Sequence, residues 1–347
     1  MEKVINKKIK VGIIGLGHQS YEDHIPAIKA SQDVEFIGVV EKDKKKLKTF
    51  LKENKKIPGY SDIDKLIKNK KPDFVIIAVP HCHHYELAKQ ALSNKIHVLK
   101  EKPFAVSLKQ AIELNKIALK NKVKIALTLQ RRFNPIYSTF LQLIDKIGLP
   151  YYIDIKYTFF TNNPHDGWRG EKNLAGGGCL IDMGYHMIDL LIWYFGLPDK
   201  LIAETSSFAK ENIIYDAEDT AQVIFSYRKK HLWGSMLISR VIPPKQEYFK
   251  VYGTRGIINL ERGKIERYST NGELQESLKR DRSWPSAAHD QIEYFIKVIK
   301  NEKNNISDPE FHFNHLAFIE AAYKSKSAGR YVNPHNILNN EKGKKIK

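Results

Sequence analysis

The chain has 347 residues, which at roughly 150 residues per domain predicts two domains, each large enough to bury its own core. Apolar residues make up 42% of it, aromatic residues 11% and charged residues 28%, and this composition excludes an intrinsically disordered protein. Only two cysteines are present, Cys82 and Cys179, which is too few for a disulfide framework and favours a reducing compartment.

The formal net charge is +18, because the chain has 57 basic and 39 acidic residues. Most of the basic residues are lysines in short clusters beside apolar-periodic segments, and the arginine and aromatic interleaving of a base-reading surface is missing. No apolar run approaches the roughly 20 residues that cross a bilayer. We therefore expect a cytoplasmic protein without a nucleic-acid or membrane partner.

The first 133 residues alternate apolar strands with helices. The pattern predicts strands at 9–16, 34–40, 74–79, 96–99 and 124–129, and helices from Pro26 and at 44–55, 86–93 and 108–121. Strands that alternate with helices form βαβ units with a parallel sheet. Residues 1–133 are therefore predicted to be one parallel-sheet domain.

The pattern changes after residue 133. Period-2 alternation predicts strands at 151–160, 221–227, 231–239 and 249–252, with helices at 179–195, 288–300 and 314–329. We interpret residues 134–337 as a second α/β domain with a large open, mostly antiparallel sheet. The lysine-rich tail, 338–347, is expected to fray.

A glycine turn follows the first strand. In Gly15-Leu-Gly17-His-Gln-Ser20, Gly15 permits a tight turn, and Gly17 lets backbone N–H groups approach a pyrophosphate. Ser20 occupies the position of the third glycine or alanine of a dinucleotide fingerprint. Glu41 ends the second strand, where a carboxylate binds both ribose hydroxyls and so favours NAD over NADP. The lysines from Lys42 onward oppose this preference, and an exposed strand-end charge is the other interpretation of Glu41.

Further motifs follow in a characteristic order. They are Asp23-His-Ile-Pro-Ala27, Ala78-Val-Pro-His-Cys-His-His84, Lys95-Ile-His-Val-Leu-Lys-Glu-Lys-Pro103, Gln130-Arg-Arg-Phe133, Gly176-Gly-Gly-Cys-Leu-Ile-Asp-Met-Gly-Tyr-His-Met-Ile-Asp189 and Glu218-Asp-Thr-Ala221. In order and spacing they closely resemble the Gfo/Idh/MocA family of nicotinamide-dependent oxidoreductases, from about residue 9 to about residue 333.

The resemblance implies an N-terminal Rossmann dinucleotide-binding domain and a C-terminal α/β domain with an open antiparallel sheet, with the nicotinamide between them. It implies hydride transfer between NAD or NADP and one carbon of a sugar, inositol, sugar nucleotide or related polyol. It also implies a homodimer or homotetramer that pairs through the C-terminal sheet. The many lysines favour an anionic substrate.

The resemblance assigns catalysis to Lys102, Asp182 and His186. Asp182 and His186 are spaced i, i+4, so on one helix they share a face, and Asp189 is a candidate for the same face. We expect His186 to be the general base, Lys102 to stabilise the alkoxide and Asp182 to orient the substrate. The roles of His186 and Lys102 are interchangeable on this reasoning.

The remaining site residues are assigned by position. Trp168 and Arg169 join Lys102, Asp182 and His186 as substrate-binding candidates, although a Trp buried under a loop is the alternative. Arg132 is expected to face the ligand crevice and Arg131 the solvent. The cofactor-binding candidates are Gly15, Gly17, His18, Gln19, Glu41, Val79, Pro80, His84, Glu101, Lys102 and Arg132.

Two further expectations concern glycine and histidine. Gly176 to Gly178 would allow a ligand to approach backbone N–H groups closely. The adjacent His81 to His84 cannot converge on one tetrahedral ion, so no metal site is predicted. The rival function is a non-catalytic sensor that retains the dinucleotide fold, as the galactose-pathway repressor of this family does, but the presence of Lys102, Asp182 and His186 argues against it.

Overall fold

The computed structural model describes residues 8–211, 213–280 and 284–343, which form two compact units, each built on one sheet. In chain order the strands are β1 (Ile9–Ile14), β2 (Val34–Val40), β3 (Gly59–Tyr60), β4 (Phe74–Ile77), β5 (His97–Lys100), β6 (Ile125–Leu127), β7 (Pro150–Phe160), β8 (Lys200–Ser206), β9 (Thr220–Tyr227), β10 (Leu232–Ser239), β11 (Val241–Gly253), β12 (Gly256–Glu261), β13 (Lys264–Tyr268) and β14 (Leu274–Lys279). The helices are α1 (Ile25–Ala30), α2 (Lys44–Glu53), α3 (Ile63–Lys70), α4 (His84–Ser93), α5 (Leu108–Asn121), α6 (Pro135–Leu143), α7 (Lys172–Ala175), α8 (Cys179–Asp182), α9 (Gly184–Phe195), α10 (Trp284–Ile299), α11 (Pro309–Ala328) and α12 (Pro334–Gly343).

The first unit comprises residues 8–105, 110–133 and 284–310. Its six strands are all parallel and lie in the order β3-β2-β1-β4-β5-β6. This is the strand order of a Rossmann fold, in which ligands bind at the carboxyl ends of the strands near the point where the order reverses, here between β1 and β4. The predicted Rossmann fold is confirmed.

The parallel strands of this unit are apolar because helices cover both faces of such a sheet. Phe74 to Ile77 of β4 are fully buried, as are Val11 and Ile13 of β1. Of these, Phe74, Ile76, Val11 and Ile13 form a core with α1, α2 and, less expectedly, α10. Fully burying a side chain of this size contributes about 1.5–3 kcal/mol, so the central strands contribute much of the unit's stability.

Helix α10 belongs to the first unit, although the sequence pattern placed residues 134–337 in the second domain. Its apolar side chains Ala288, Ile292 and Phe295 pack in the core of the parallel sheet. The rings of Phe295 and Phe74 make an edge contact with their centroids 5.6 Å apart. Helical periodicity shows that α10 has an apolar face, but it does not show which sheet buries that face.

The second unit comprises residues 106–109, 134–280 and 311–343, apart from Asn212, which lies outside the described residues. Its eight strands lie in the order β14-β13-β12-β11-β7-β10-β9-β8. All neighbouring pairs are antiparallel except β7 and β10, which are parallel. The predicted mostly antiparallel sheet is confirmed.

The two faces of this sheet differ in their covering. On one face, Phe225 contacts Phe318 of α11, and Phe249 stacks on Phe195 of α9. On the other face Tyr152, Trp233 and Tyr252 form a row across three neighbouring strands, and Trp233 is 51% exposed. The alternation of buried and exposed side chains therefore follows the period of two expected of a half-covered sheet.

The carboxyl-terminal region is helical up to Gly343, whereas the sequence predicted a frayed tail from residue 338. Asn333 caps this helix, because its Oδ1 accepts a hydrogen bond from the amide of His335 at 2.8 Å. Pro334 opens the helix, where a missing N–H has no cost. Residues 344–347 of the predicted tail lie outside the described residues. In the part of the chain that the structure describes, no helix has the length and apolarity to cross a membrane.

Candidate active site

The turn after β1 requires glycine at position 15. Gly15 has a φ of 97°, and a Cβ at this position would lie 2.3 Å from the carbonyl oxygen of Ala78. Gly17 is different, since the nearest atom to its Cβ position is the same oxygen at 3.9 Å. The close approach of β1 and β4 therefore demands a glycine only at the first position, while the turn around Gly17 is open on one side.

Ser20 closes this turn by a hydrogen bond. Its buried hydroxyl donates to the carbonyl oxygen of Gly15 at 2.7 Å, and its amide donates to that of Gly17 at 3.1 Å. Ser20 begins a π-helical turn, Ser20–His24, which continues into α1. The serine that departs from the fingerprint thus stabilises the turn.

A helical run begins at His18, directly after the glycine turn. The first amides of a helix lack partners within it, and its amino end carries a partial positive charge. Backbone donors of this kind bind phosphate groups. The turn and the start of this run thus have the kind of backbone donors that an anion-binding site requires.

Glu41 is bonded to the glycine turn. One carboxylate oxygen accepts a hydrogen bond from the amide of Leu16 at 2.8 Å, and the other accepts one from the amide of Asp43 at 2.9 Å. The residue directly follows β2 and is half-buried. A carboxylate oxygen can accept more than one hydrogen bond, so both oxygens retain capacity for hydroxyl donors. The interpretation of Glu41 as a merely exposed strand-end charge does not fit these contacts.

Two of the motifs, those that begin at Asp23 and at Gln130, are joined by a hydrogen bond. The buried carboxylate of Asp23 accepts hydrogen bonds from the side-chain amides of Gln19 and Gln130, the latter at 2.6 Å. Burial raises the pKa of Asp23 despite these hydrogen bonds. Residues that are 107 positions apart in the chain therefore support the same helical turn.

Glu101 makes a polar contact with His24, the residue that follows Asp23. Its Oε1 lies 2.9 Å from Nε2 of His24. Burial alone would raise the pKa of Glu101, but the hydrogen bond and charge of His24, with the charge of Lys102, hold that pKa below its ordinary value. Glu101 is thus an ionised carboxylate at neutral pH.

His84 lies beneath the loop that carries Lys102. Its Nε2 lies 2.8 Å from the carbonyl oxygen of Val79 and its Nδ1 lies 3.3 Å from that of Pro103. Burial, reinforced by the charges of Lys100 and His81, lowers the pKa of His84 well below its ordinary value. His84 is only 1% exposed, so its side chain packs against the carbonyl groups of this loop, and its assignment to the cofactor side stays a prediction.

Lys100 is a residue that the sequence reasoning missed. It ends β5 one position before Glu101, and its side chain is fully buried. Its Nζ donates to the carbonyl oxygens of Pro103 at 3.2 Å and Phe104 at 2.5 Å. The available signal was a lysine at the end of an otherwise apolar parallel strand, where buried residues are expected.

One of the two arginines after β6 differs from the prediction. Arg131, expected in solvent, is only 7% exposed, whereas Arg132 is half-exposed and donates from Nη1 to the carbonyl oxygen of Ile306 at 2.5 Å. The strand ends at Leu127, and Gln130–Phe133 form a 3-10 turn. The alternation of a strand, on which the prediction depended, therefore does not apply to these residues.

In the second unit, Asp182 and His186 lie on consecutive helices. Asp182 ends α8 and His186 stands in the first turn of α9, with Met183 between the two helices. The chain keeps helical dihedral angles at Met183, but the amide of His186 bonds to the carbonyl of Met183 at 3.3 Å, three residues back. Asp182 is 6% exposed and His186 is half-exposed among buried neighbours.

Arg169 contacts Asp182 directly. Its Nε donates to Oδ2 of Asp182 at 3.1 Å, and its guanidinium carbon lies 4.4 Å from the ring centroid of Trp168. Trp168 is partly buried, and its assignment to substrate binding stays a prediction. Both residues lie in a 3-10 turn, Gly167–Gly170. Two of the substrate-binding candidates are therefore joined to a catalytic candidate within this unit.

The triple glycine serves contacts within the chain. A Cβ on Gly178 would lie 2.1 Å from the carbonyl oxygen of Glu218, and one on Gly177 would lie 2.1 Å from the hydroxyl of Tyr323. Glu218 accepts hydrogen bonds from the amide of Leu180 at 3.1 Å and from Tyr323 at 2.8 Å. The close approach expected of a ligand at these glycines is thus made by the chain itself, and Glu218 holds the start of α8.

Asp189 does not share the exposed position of His186. It is 2% exposed and its Oδ1 lies 2.9 Å from Nε2 of His315, which is fully buried. Three residues further along α9, its side chain has turned into the core. Cys179 is also fully buried, and burial raises the pKa of its thiol.

A cleft of about 470 Å³ lies elsewhere in the first unit. His97, Lys124 and Ile125 line it at the amino ends of β5 and β6, which is the sheet edge opposite the glycine turn. It contains none of the predicted site residues. Among the described residues, no three His, Cys, Asp or Glu side chains are grouped as metal ligands.

Comparison with known proteins gives matches along most of the chain. A family model described as an oxidoreductase family with an NAD-binding Rossmann fold matches residues 9–129. The C-terminal α/β domain of the same oxidoreductase family matches residues 142–333. Together the two models cover the glycine turn, the Lys102 loop and the α8–α9 region.

Several characterised proteins are similar to this chain. The D-glucoside 3-dehydrogenase of Escherichia coli is 24% identical, over 93% of this chain and 97% of that protein. The glucose-6-phosphate 3-dehydrogenase of Bacillus subtilis is 28% identical, over 70% of this chain and 71% of that protein. The WlbA dehydrogenase of Chromobacterium violaceum, solved with NADH and UDP-GlcNAcA, has a TM-score of 0.81 at 22% identity, over 95% of this chain and 97% of that one. At that identity the structural likeness shows the fold.

Proposed function

Because the chain belongs to the Gfo/Idh/MocA oxidoreductase family, we propose that it is an NAD(P)-dependent dehydrogenase or reductase that acts on a CH–OH group of a sugar, inositol, sugar nucleotide or related polyol. The observation that carries this proposal is the bond between Glu41 and the amide of Leu16 in the glycine turn. This bond supports the proposal, because it joins the carboxylate that we assign to the ribose and the turn that we assign to the pyrophosphate, at the carboxyl edge of the parallel sheet.

The residues of the first unit fit a dinucleotide. Gly15 leaves no room for a side chain, and the turn at Gly17 is open. We assign the pyrophosphate to Gly15, Gly17, His18 and Gln19, and the ribose to Glu41, with NAD favoured over NADP. The nicotinamide end is assigned to Val79, Pro80, Glu101, Lys102 and Arg132. When bound, the cofactor supplies a hydride acceptor or donor at C4 of its nicotinamide.

The protein's own part of the reaction is proton transfer and charge stabilisation. Oxidation of a carbinol releases the hydroxyl proton, and the half-exposed imidazole of His186 is suited to accept it. The ammonium group of Lys102 is suited to stabilise the alkoxide, and the exchange of these two roles is the alternative. Asp182, bonded to Arg169, is assigned to orient the substrate hydroxyl.

Substrate binding is assigned to Trp168 and Arg169, and also to Lys102, Asp182 and His186. The indole face of Trp168 can stack on a sugar ring, and the guanidinium of Arg169 can bind a carboxylate or phosphate. One of the similar proteins is named for an anionic sugar, glucose-6-phosphate. Another was solved with an anionic sugar nucleotide, UDP-GlcNAcA. An anionic sugar is therefore the first substrate class to test.

The open face of the second sheet is proposed as the surface of a homodimer or homotetramer. Trp233, with half its surface exposed, stands beside Tyr152 with ring centroids 4.6 Å apart, and Tyr252 extends the row. Exposed aromatic groups of this kind are typical of an interface. Trp233→Arg should lower the mass measured by light scattering to that of a monomer, whereas an unchanged mass would exclude this face. A cytoplasmic location belongs to the same proposal.

The function is tested by a screen of sugars, sugar phosphates, uronates, inositols and sugar nucleotides with NAD and NADP, following the absorbance of the reduced nicotinamide. Lys102→Ala should lower turnover at least 100-fold and leave NADH binding within about threefold of wild type. Lys116→Ala, a change of an exposed lysine on α5, is the matched control. Cofactor binding without turnover of any compound would favour the sensor alternative, and absence of cofactor binding would exclude both functions.

A further inference from the structure

The buried amine of Lys100 closes a short loop of the chain. Lys100 is fully buried at the end of β5, and its Nζ reaches forward to the carbonyl oxygens of Pro103 and Phe104, at 3.2 and 2.5 Å. Glu101 and Lys102 are the residues between these contacts. One side chain therefore ties the beginning of the loop to its end.

The hydrogen bonds of Lys100 go to main-chain oxygens and not to the carboxylate of the next residue, Glu101. Glu101 lies against His24. A buried lysine loses the solvation of its charge, and a methionine of similar length would avoid that cost. The lysine thus lowers stability at this position, and what it provides instead is two hydrogen bonds to the loop.

A second side chain contacts the same loop. Nδ1 of His84 lies 3.3 Å from the carbonyl oxygen of Pro103, and its Nε2 lies 2.8 Å from that of Val79. A neutral imidazole has one N–H, so His84 donates to one of these two carbonyl oxygens and not to both. The hydrogen bonds of Lys100 to Pro103 and Phe104 are therefore the contacts that hold the loop.

We propose that Lys100 is a positioning residue for Lys102: by holding the carbonyls of Pro103 and Phe104, it fixes the loop from which the Lys102 side chain extends. The inference rests on the proposed function, because it assumes that Lys102 acts on the substrate. It assigns to the motif Lys100-Glu-Lys-Pro103 two lysines with different tasks, one buried that sets geometry and one half-exposed that carries the chemistry.

The protonation of Lys100 is compatible with this task. Burial lowers the pKa of Lys100 to about 7, although the charge of Glu101 acts in the opposite direction. A neutral amine still has two N–H donors, which is the number of carbonyl oxygens that it contacts. The clamp therefore does not require the charged form.

The test compares Lys100→Met, which keeps the length and removes the donors, with Lys100→Gln, which keeps an N–H donor, and with Lys116→Met, an exposed lysine on α5 as control. We expect Lys100→Met to lower kcat at least tenfold, with the KM of the substrate and the Kd of NADH within about threefold. Lys100→Gln should retain part of the rate, and Lys116→Met should match wild type. A Lys100→Met variant with the wild-type kcat would overturn the inference.

A double-mutant cycle separates positioning from a general structural effect. If Lys100 acts through Lys102, then Lys100→Met should lower the residual rate of Lys102→Ala by less than twofold. An independent structural role would lower that rate by the same tenfold factor as in wild type, and this result would contradict the inference.

Hydrogen exchange tests the same inference without turnover. Amides of residues 101–106 should exchange at least tenfold faster in Lys100→Met than in wild type, and the Lys116→Met control should leave them unchanged. If the wild-type protein turned over none of the screened compounds, the proposed function would fail, while exchange in this loop would still decide whether Lys100 holds it. Unchanged exchange would refute the clamp.

Discussion

Arg169 donates a hydrogen bond from Nε to Oδ2 of Asp182 at 3.1 Å, which joins the 3-10 turn Gly167–Gly170 to the end of α8. The guanidinium is also stacked on Trp168. Its orientation is therefore set by two side chains before any substrate arrives. Asp182, which is almost fully buried, has its orientation set in turn by Arg169.

Replacement of Arg169 by Lys should lower kcat/KM about tenfold, because an ammonium group cannot keep both the Nε hydrogen bond and the planar stacking. A loss of one charge-assisted hydrogen bond is of this size. Steady-state kinetics measure the effect, with Arg228→Lys at an exposed position as the matched control. Unchanged kcat/KM in Arg169→Lys would show that the Asp182 contact has no role in catalysis.

Replacement of Glu41 by Gln separates its charge from its bond to the glycine turn. The remaining amide oxygen can still accept from Leu16, whereas the negative charge that disfavours a 2′-phosphate is lost. We expect the ratio of NAD to NADP affinity to fall about tenfold, as measured by titration of both reduced cofactors. Glu35→Gln, an exposed position on the same strand, should leave the ratio unchanged. An unaltered ratio in Glu41→Gln would remove Glu41 from cofactor selection.

Gly15→Ala should disrupt the turn, because the new Cβ would lie 2.3 Å from the carbonyl oxygen of Ala78 at a φ of 97°. The expected loss is about 1–3 kcal/mol of unfolding free energy, together with dinucleotide binding. Gly17→Ala is the comparison, since its Cβ meets that oxygen at 3.9 Å, and its unfolding free energy should stay within about 0.5–1 kcal/mol of wild type, the cost of an ordinary glycine change. Denaturant unfolding distinguishes the two, and equal destabilisation would contradict the geometry.

The pH dependence of stability should reveal the buried amine of Lys100. Its pKa is about 7 in the folded chain and about 10.4 in the unfolded chain, so the unfolded state binds more protons between these values. The contribution of Lys100 to stability should therefore rise with pH across this interval. The difference between Lys100→Met and wild type should change by about 4 kcal/mol between pH 6 and pH 10, in favour of the variant at the lower pH.

Two titratable groups near Lys100 keep the same charge between pH 6 and pH 10. Glu101 has a lowered pKa and His84 one well below its ordinary value, so neither changes charge between pH 6 and pH 10. Unfolding in denaturant at several pH values gives the measurement. Parallel curves for wild type and Lys100→Met would mean that Lys100 keeps an ordinary pKa.

Much of the first unit could be predicted because its signals are local. The apolar run at 34–40 and the helical spacing at 108–121 coincide with β2 and α5. The short strand β3 was not predicted, because two residues at Gly59–Tyr60 show no periodicity. The helix α3 was not predicted either. In the second unit, β11 begins at Val241, eight residues before its predicted start, because Pro243 and Pro244 interrupt the strand pattern.

The site shows the same limit at the level of side chains. Motif spacing makes Asp182 and His186 candidates, but their neighbour Asp189 is paired with His315, which lies 126 residues away. The burial of Lys100 and the contact between Asp23 and Gln130 also depend on residues or loops that only the folded chain brings together. Local sequence reports what a residue is able to do, and tertiary contacts decide whether it faces a ligand or the core.

The return of α10 to the core of the parallel sheet has a consequence for recombination between relatives. A hybrid made with a single crossover near Phe133 would combine the sheet of one parent with the α10 of the other, so that Phe74 and Phe295 would come from different sequences. Mismatched volumes at such a core contact are destabilising. To transfer the first unit intact from one parent, a hybrid would need at least two crossovers, one before the strands of the second sheet in the sequence and one after them.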